Sequence, residues 1–240
     1  MAACAVSSVA QAEPRTTLSD GAVGKIEFRT YTPVSQRPLL TRSYLNEPTT
    51  VISGVLSLPT STTLQREGKS PAVILAHGVG GVSDEREHAW AKRLNSWGIA
   101  AFVVDSYGGR GMKPPVYADS PKSTHFTAHL VDAYLALQLI ATHPTIDGNR
   151  VAVMGFSKGG EVAVNAVFER FRVHRTVRQY RGARPLGKLG VGVLEREDEM
   201  RTQVGSPAVE FALEDTVGSV YRLEHYRGHW LLMVFHRHLG

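Results

Sequence analysis

One serine between two glycines, Gly155-Phe156-Ser157-Lys158-Gly159, is the stretch of this 240-residue chain whose residue types and spacing can do chemistry. It fits the pattern G-x-S-x-G. A serine hydroxyl is a weak nucleophile until a base takes its proton. On a sharp turn at a strand end, the hydroxyl of Ser157 projects from the sheet edge, where a histidine on a later loop can reach it. Gly155 and Gly159 remove side chains that would collide with the neighbouring strand and helix. The amide of Lys158, at the start of the next helix, is aimed where an oxyanion would form.

The elements needed to hold such a turn are present on either side. Residues 150–154 (RVAVM) form a short apolar β-type run, and residues 160–168 (GEVAVNAVF) read as a small-residue helix. Strand, tight turn and helix are the setting of a nucleophile elbow. Further upstream, residues 24–32 and 50–58 predict strands by their partial alternation and their β-branched and aromatic content. Residues 71–76 (PAVILA) and 99–104 are continuous apolar runs, as expected of strands buried on both faces. Ser83 is placed to cap a helix with Asp84 and Glu85 in its first turn. Trp90, Leu94 and Trp97 form that helix's core-facing stripe, and Gly98 ends it. Residues near 127–142 predict a second helix with Leu130, Tyr134, Leu137 and Ala141 on one face. Asp147-Gly148 reads as a turn into the strand before Ser157.

Strands alternating with helices predict a mostly parallel α/β sheet, whose sites lie at the carboxyl ends of its strands. The loop His77-Gly78-Val79-Gly80-Gly81, the loop Asp105–Gly111 and Ser157 all follow strand ends, so three loops converge on one edge. In these loops His77 reads as a loop-positioning residue and Asp105 as a hydrogen-bond acceptor for loop backbone. Arg110 has two readings, a ligand for a substrate carboxylate or a partner in a structural salt bridge. The Lys158 side chain is expected in solvent. HGVGG lacks the G-x-G-x-x-G spacing of a dinucleotide site, and no HExxH or EF-hand pattern occurs.

Bulk properties narrow the class. The length suits one large domain, and the composition, 42% apolar and 20% charged, is ordinary for a globular protein. No apolar run approaches the roughly 18 residues of a membrane span. Cys4 is the single cysteine, which excludes an intrachain disulfide and a cysteine metal cluster. Residues 1–12 end in Ala-Gln-Ala before Glu13-Pro14, like a signal-peptidase site. We read them as the tail of a signal peptide, which predicts a periplasmic or secreted protein; a disordered N-terminus on a cytoplasmic protein is the alternative. The net charge of +5 is uneven: residues 1–169 hold 15 basic and 14 acidic side chains, residues 170–240 hold 12 and 8.

Three motifs in order, PAVILAHGVGG, AWAKRLNSWGIAAFVVDSYGGRG and HPTIDGNRVAVMGFSKGG, resemble the dienelactone hydrolase branch of the α/β-hydrolases. The resemblance covers roughly residues 25 to 170. It implies an eight-stranded hydrolase sheet and a Ser/Cys–Asp–His triad acting on ester or lactone bonds. Ser157 matches the nucleophile, and Val79 and Lys158 match the two amide donors of the oxyanion hole. Dienelactone hydrolases proper carry cysteine at the elbow, so the serine here points to their esterase-like relatives.

The triad order Ser…Asp…His requires an acid and a histidine after Ser157. Residues 190–194 predict a strand followed by Asp198, the candidate acid. His229, after a predicted strand at 219–223, is the candidate base; His225, His236 and His238 are rivals. Asp215 lies too close before His229 for a crossover. Resemblance fades after Glu169, where arginines 172, 175, 178, 181 and 184 recur every third position. No nucleic-acid recognition motif accompanies them. The remaining residues are few for three strands with helices, so the sheet can be incomplete at this end.

These observations predict one α/β-hydrolase-type domain over residues 13–240, with 171–240 atypical. It would hydrolyse a carboxylic ester or lactone through an acyl-enzyme, with Ser157, Asp198 and His229 as triad and Val79 and Lys158 as oxyanion donors. Arg110 stands as the substrate-binding candidate. A small-molecule substrate is the expected partner, with no metal, organic cofactor, nucleic acid or membrane span. The alternative is a catalytically defective relative with a divergent or frameshifted C-terminus.

Overall fold

A computed structural model describes residues 13–120, 122–166, 171, 212–214 and 220–222. The signal-peptide-like residues 1–12, the predicted strand at 190–194, the arginine series, Asp198, Asp215, His229 and the rival histidines lie outside the described residues.

The chain builds β1 (Gly24–Thr30), α1 (Gln36–Thr41), β2 (Thr50–Ser57), β3 (Ser70–Ala76), α2 (Ala89–Ser96) and β4 (Ala100–Asp105). It continues through α3 (Phe126–Ile140), β5 (Ile146–Gly155) and α4 (Lys158–Asn165). Two short strands, β6 (Ala212–Glu214) and β7 (Val220–Arg222), pair antiparallel as a separate sheet, β7 falling inside the strand predicted at 219–223. The main sheet has five strands in the order β1-β2-β4-β3-β5. β1, β2 and β4 pair antiparallel, whereas β3 runs parallel to both β4 and β5. This mixed sheet flanked by helices is an α/β-hydrolase-type architecture.

The apolar runs explain the centre. All seven residues of β3 are buried. Its alternate side chains serve two cores, because successive residues of a strand face opposite sides. Ala72, Ile74 and Ala76 join Phe102, Val104, Leu130, Leu137, Ile140 and Val162 on the α3–α4 side. Val73 and Leu75 join Ala101, Val103 and Leu94 on the α2 side, where Trp90 and Trp97 pack at the margin. The Trp90–Leu94–Trp97 stripe is thus core packing. β3 leads through α2 to β4, and β4 leads through α3 back across β3 to β5. The strand order therefore reverses at β3, and the carboxyl ends of β3, β4 and β5 share one edge.

Three local expectations change. Ser83 makes no side-chain cap, although its own N–H donates to the buried Glu87 carboxylate at 2.9 Å, and a wide π-type turn, Asp84–His88, precedes α2. Helix α3 is buried nearly all round, not on one stripe, because helix α4 as well as the sheet packs on it; only Leu135 and Gln138 escape full burial. Asp147-Gly148 is not a turn before the strand but an irregularity within β5. The pairing with β3 slips between Ser70↔Ile146 and Ala72↔Val151, and Asp147 Oδ1 accepts from Asn149 N–H at 3.0 Å. No helix among the described residues is long and apolar enough to cross a membrane.

Candidate active site

Ser157 stands between the last residue of β5 and the first of α4, exposed, with φ 53° and ψ −118°. A positive φ on a residue with a Cβ costs about 1–3 kcal/mol and persists only where the surroundings enforce it. The neighbours do so here. Phe156 N–H donates to the Ala76 carbonyl of β3 at 3.2 Å, and Ser157 C=O accepts from Glu161 N–H at 3.1 Å as the helix begins. A Cβ on Gly155 would run into the Gly159 carbonyl, and a Cβ on Gly159 would run into that of Ala76. Only glycine fits either place. Lys158, as the first residue of α4, presents an amide that has no acceptor inside its own helix.

The loop after β3 lies directly against this turn. A Cβ built on Gly78 would sit 3.2 Å from Ser157 Cβ and 2.8 Å from the Phe156 carbonyl. The backbone of Gly78-Val79 is therefore brought beside Ser157 and the start of α4. His77 fixes that loop: its Nδ1 donates to the Gly78 carbonyl at 2.7 Å, and its Nε2 accepts from Ser106 N–H at 3.1 Å. Both nitrogens are thus committed to a neutral ring, and burial lowers its pKa. Asp105 organises the loop after β4, its Oδ1 accepting from the amides of Tyr107 and Gly108, each at 2.9 Å. Arg86 ties the far end of the His77–Gly81 loop. It donates to the Gly81 carbonyl at 2.9 Å and to Glu87 at 2.7 Å, with its guanidinium 5.6 Å from the Phe156 ring centre.

Two sequence expectations are corrected here. Arg110 is not open to a substrate carboxylate, because all its donors are used inside the protein. Its side chain is 4% exposed and pairs with Asp132, itself 1% exposed, through two 2.8 Å bonds. The remaining N–H groups reach Thr32 Oγ1 and the carbonyls of Ser106 and Tyr31. Thr30 Oγ1 donates to the same carboxylate at 2.6 Å. Nor does the Lys158 side chain run into solvent; it turns inward and donates to the Thr124 carbonyl. Burial lowers its pKa, with Glu161 acting against the shift and Arg110 with it.

Behind the loops lies a cluster of His77, Tyr107 and His129, rings edge-on at 4.4 to 5.5 Å between centroids. His129 Nε2 meets Thr124 Oγ1 at 2.8 Å. Its Nδ1 and the Tyr107 hydroxyl are buried without hydrogen-bond partners among the described residues. Burial above all, with the cations of Lys158 and Arg110 acting in the same direction, pushes the His129 pKa well below the ordinary histidine value. Sequence reasoning missed Asp132, Glu87, Thr124 and His129. Asp132 lacks a local signal because its partners, Thr30 and Arg110, are set by tertiary packing, whereas Glu87 pairs locally with Ser83 N–H and Arg86.

The structure thus brings together Ser157, Lys158 and the Gly78-Val79 backbone. Asp198 and His229 lie outside the described residues. A family model for the dienelactone hydrolase family matches residues 52–224. The uncharacterized protein YcjY of Escherichia coli K12 is 26% identical over 129 residues, which are 53% of this chain and 40% of that protein. Among solved structures, a putative dienelactone hydrolase from Klebsiella pneumoniae is similar at 20% identity and TM-score 0.41, over 60% of this chain and 54% of that one. Est1E from Butyrivibrio proteoclasticus is similar at 21% identity and TM-score 0.37, over 49% and 41% of the two chains. The chain spans about half or less of the length of these relatives.

Two outcomes are expected from the buried polar groups. Arg110→Met leaves the Asp132 carboxylate buried without its cation and should lower stability in urea unfolding by about 3–5 kcal/mol, whereas Arg110→Met with Asp132→Leu should recover much of the loss. The histidines supply a pH effect. A lowered folded-state pKa means that the unfolded chain binds more protons just below the ordinary value of 6.5. Stability should therefore be complete above about pH 6.5 and fall as acid titrates towards the folded-state values. Urea midpoints measured across that range should fall less steeply for His129→Gln than for the parent chain.

Proposed function

The chain belongs to the dienelactone hydrolase family, and from that premise we propose that it hydrolyses a carboxylic ester or lactone through an acyl-enzyme on Ser157. Family membership supports a hydrolase-type function acting on a small molecule. The observation that carries the finer reading is the positive-φ serine, exposed at the β5–α4 turn, with the Gly78 backbone packed against it.

In this reading the turn is a nucleophile elbow. Ser157 Oγ attacks the substrate carbonyl carbon while a histidine takes the hydroxyl proton. The carbonyl oxygen becomes an oxyanion, and the Val79 and Lys158 amides donate to it; the N-terminal end of α4 adds a favourable partial positive charge. Collapse of the tetrahedral species breaks the bond to the alcohol oxygen, which leaves with the proton from the histidine. Water, activated by the same histidine, then attacks the acyl carbon and returns Ser157 to its hydroxyl form. His229 is the proposed base and Asp198 the acid that orients it. His77 is unsuited to that role, because both its ring nitrogens already serve the loops.

Hydrolysis of p-nitrophenyl acetate should fall by roughly a thousandfold or more in Ser157→Ala, with the variant still folded. Equal turnover by parent and variant would reject Ser157 as nucleophile. A folded parent chain with no turnover above background would instead favour a catalytically defective relative.

A further inference from the structure

The Lys158 side chain does something that its amide does not require. Its ammonium reaches across to the Thr124 carbonyl, in the connection between β4 and α3. It is half-buried and lies 5.8 Å from the centre of the Tyr107 ring. A lysine that took part in nothing here would gain by extending into water, since a desolvated ammonium loses hydration.

The same connection also holds the other proposed oxyanion residue. Val116 N–H donates to the Val79 carbonyl at 2.8 Å. Pro114 packs so closely on Gly81 that a Cβ there would come within 2.6 Å of the proline ring. Val116 and Thr124 are themselves buried, and Thr124 Oγ1 is anchored on His129 at 2.8 Å. One connection, fixed to the α3 helix at Thr124, thus grips Val79 at its carbonyl, on the other side of the Val79 Cα from its N–H, through Val116, and the first turn of α4 through Lys158.

We infer that the Lys158 side chain is a positioning residue for the oxyanion site: by donating to the Thr124 carbonyl it sets the first turn of α4 relative to the Val79 peptide. This rests on the proposed hydrolytic role of Ser157. The side chain touches no reacting atom. Its effect passes through the spacing of two amides, and acyl-transfer rates respond steeply to sub-ångström displacement of such donors.

The test compares Lys158→Met, which removes the donor but keeps a long helix-forming side chain, with Lys158→Arg, which keeps a donor and the charge. On p-nitrophenyl acetate, K158M should lower kcat by roughly tenfold to a hundredfold, with KM changed less than about twofold. K158R should restore most of kcat, and both variants should keep the parent's circular-dichroism spectrum. An unchanged kcat in K158M, a change confined to KM, a failure of K158R to recover, or loss of folding in K158M would each overturn the inference. The Ser157→Ala variant run alongside separates the two claims. If the parent chain is no faster than S157A, the hydrolytic reading falls and this inference with it. If the parent is active and K158M matches it, this inference alone falls.

Discussion

The turn that carries Ser157 leaves no space for a side chain at Gly155 or at Gly159, and the rest of the site is arranged around that constraint. Because both glycines press on backbone, β5 can pass straight into α4 within a few residues. The serine between them is forced into a positive-φ conformation that an ordinary loop would relax. Relaxation is blocked by the bond from Phe156 to the Ala76 carbonyl and by the contact of Gly78 with the turn. β3 therefore sets the turn twice, once by pairing with β5 and once through the loop it feeds.

Around this strained point the polar groups are closed on themselves. His77 joins the loops after β3 and β4 as a neutral ring with both nitrogens engaged. Arg110 and Asp132 neutralise each other beneath the β4 loop and tie it to the residues following β1. Such a buried pair is weak evidence for net stability, since desolvation opposes its attraction, but it fixes geometry well. The consequence is division of labour. Buried groups hold the strand-end loops, and Ser157 is left exposed at the edge they frame.

The parts legible in the sequence are those written locally. β3 and β4 are continuous apolar runs, and the glycine spacing about Ser157 reports a steric limit. Asp105 was readable because the amides that donate to it lie two and three residues ahead. Partnerships across long separations were not readable. Arg110 finds Asp132 on another element 22 residues on, which no periodicity signals. Ser83 carried the right side chain for a cap, yet its hydroxyl makes no cap bond, and the nearby Glu87 carboxylate accepts its N–H. Asp147-Gly148 has turn chemistry, and tertiary pairing with β3 absorbed it as a slip in register. Lys158 looked solvated because a lysine usually is, and only the arrival of the Thr124 carbonyl turns it inward.

The central claim is that Ser157 is an activated nucleophile and not simply a strained turn residue. Its most direct measurement is peptide mapping by mass spectrometry of the folded chain after exposure to a fluorophosphonate, with a heat-unfolded sample as control. One phosphonyl adduct is expected in the folded sample, on the peptide bearing Ser157, and none in the unfolded one. An unmodified folded chain, or an adduct on a different serine, would contradict it.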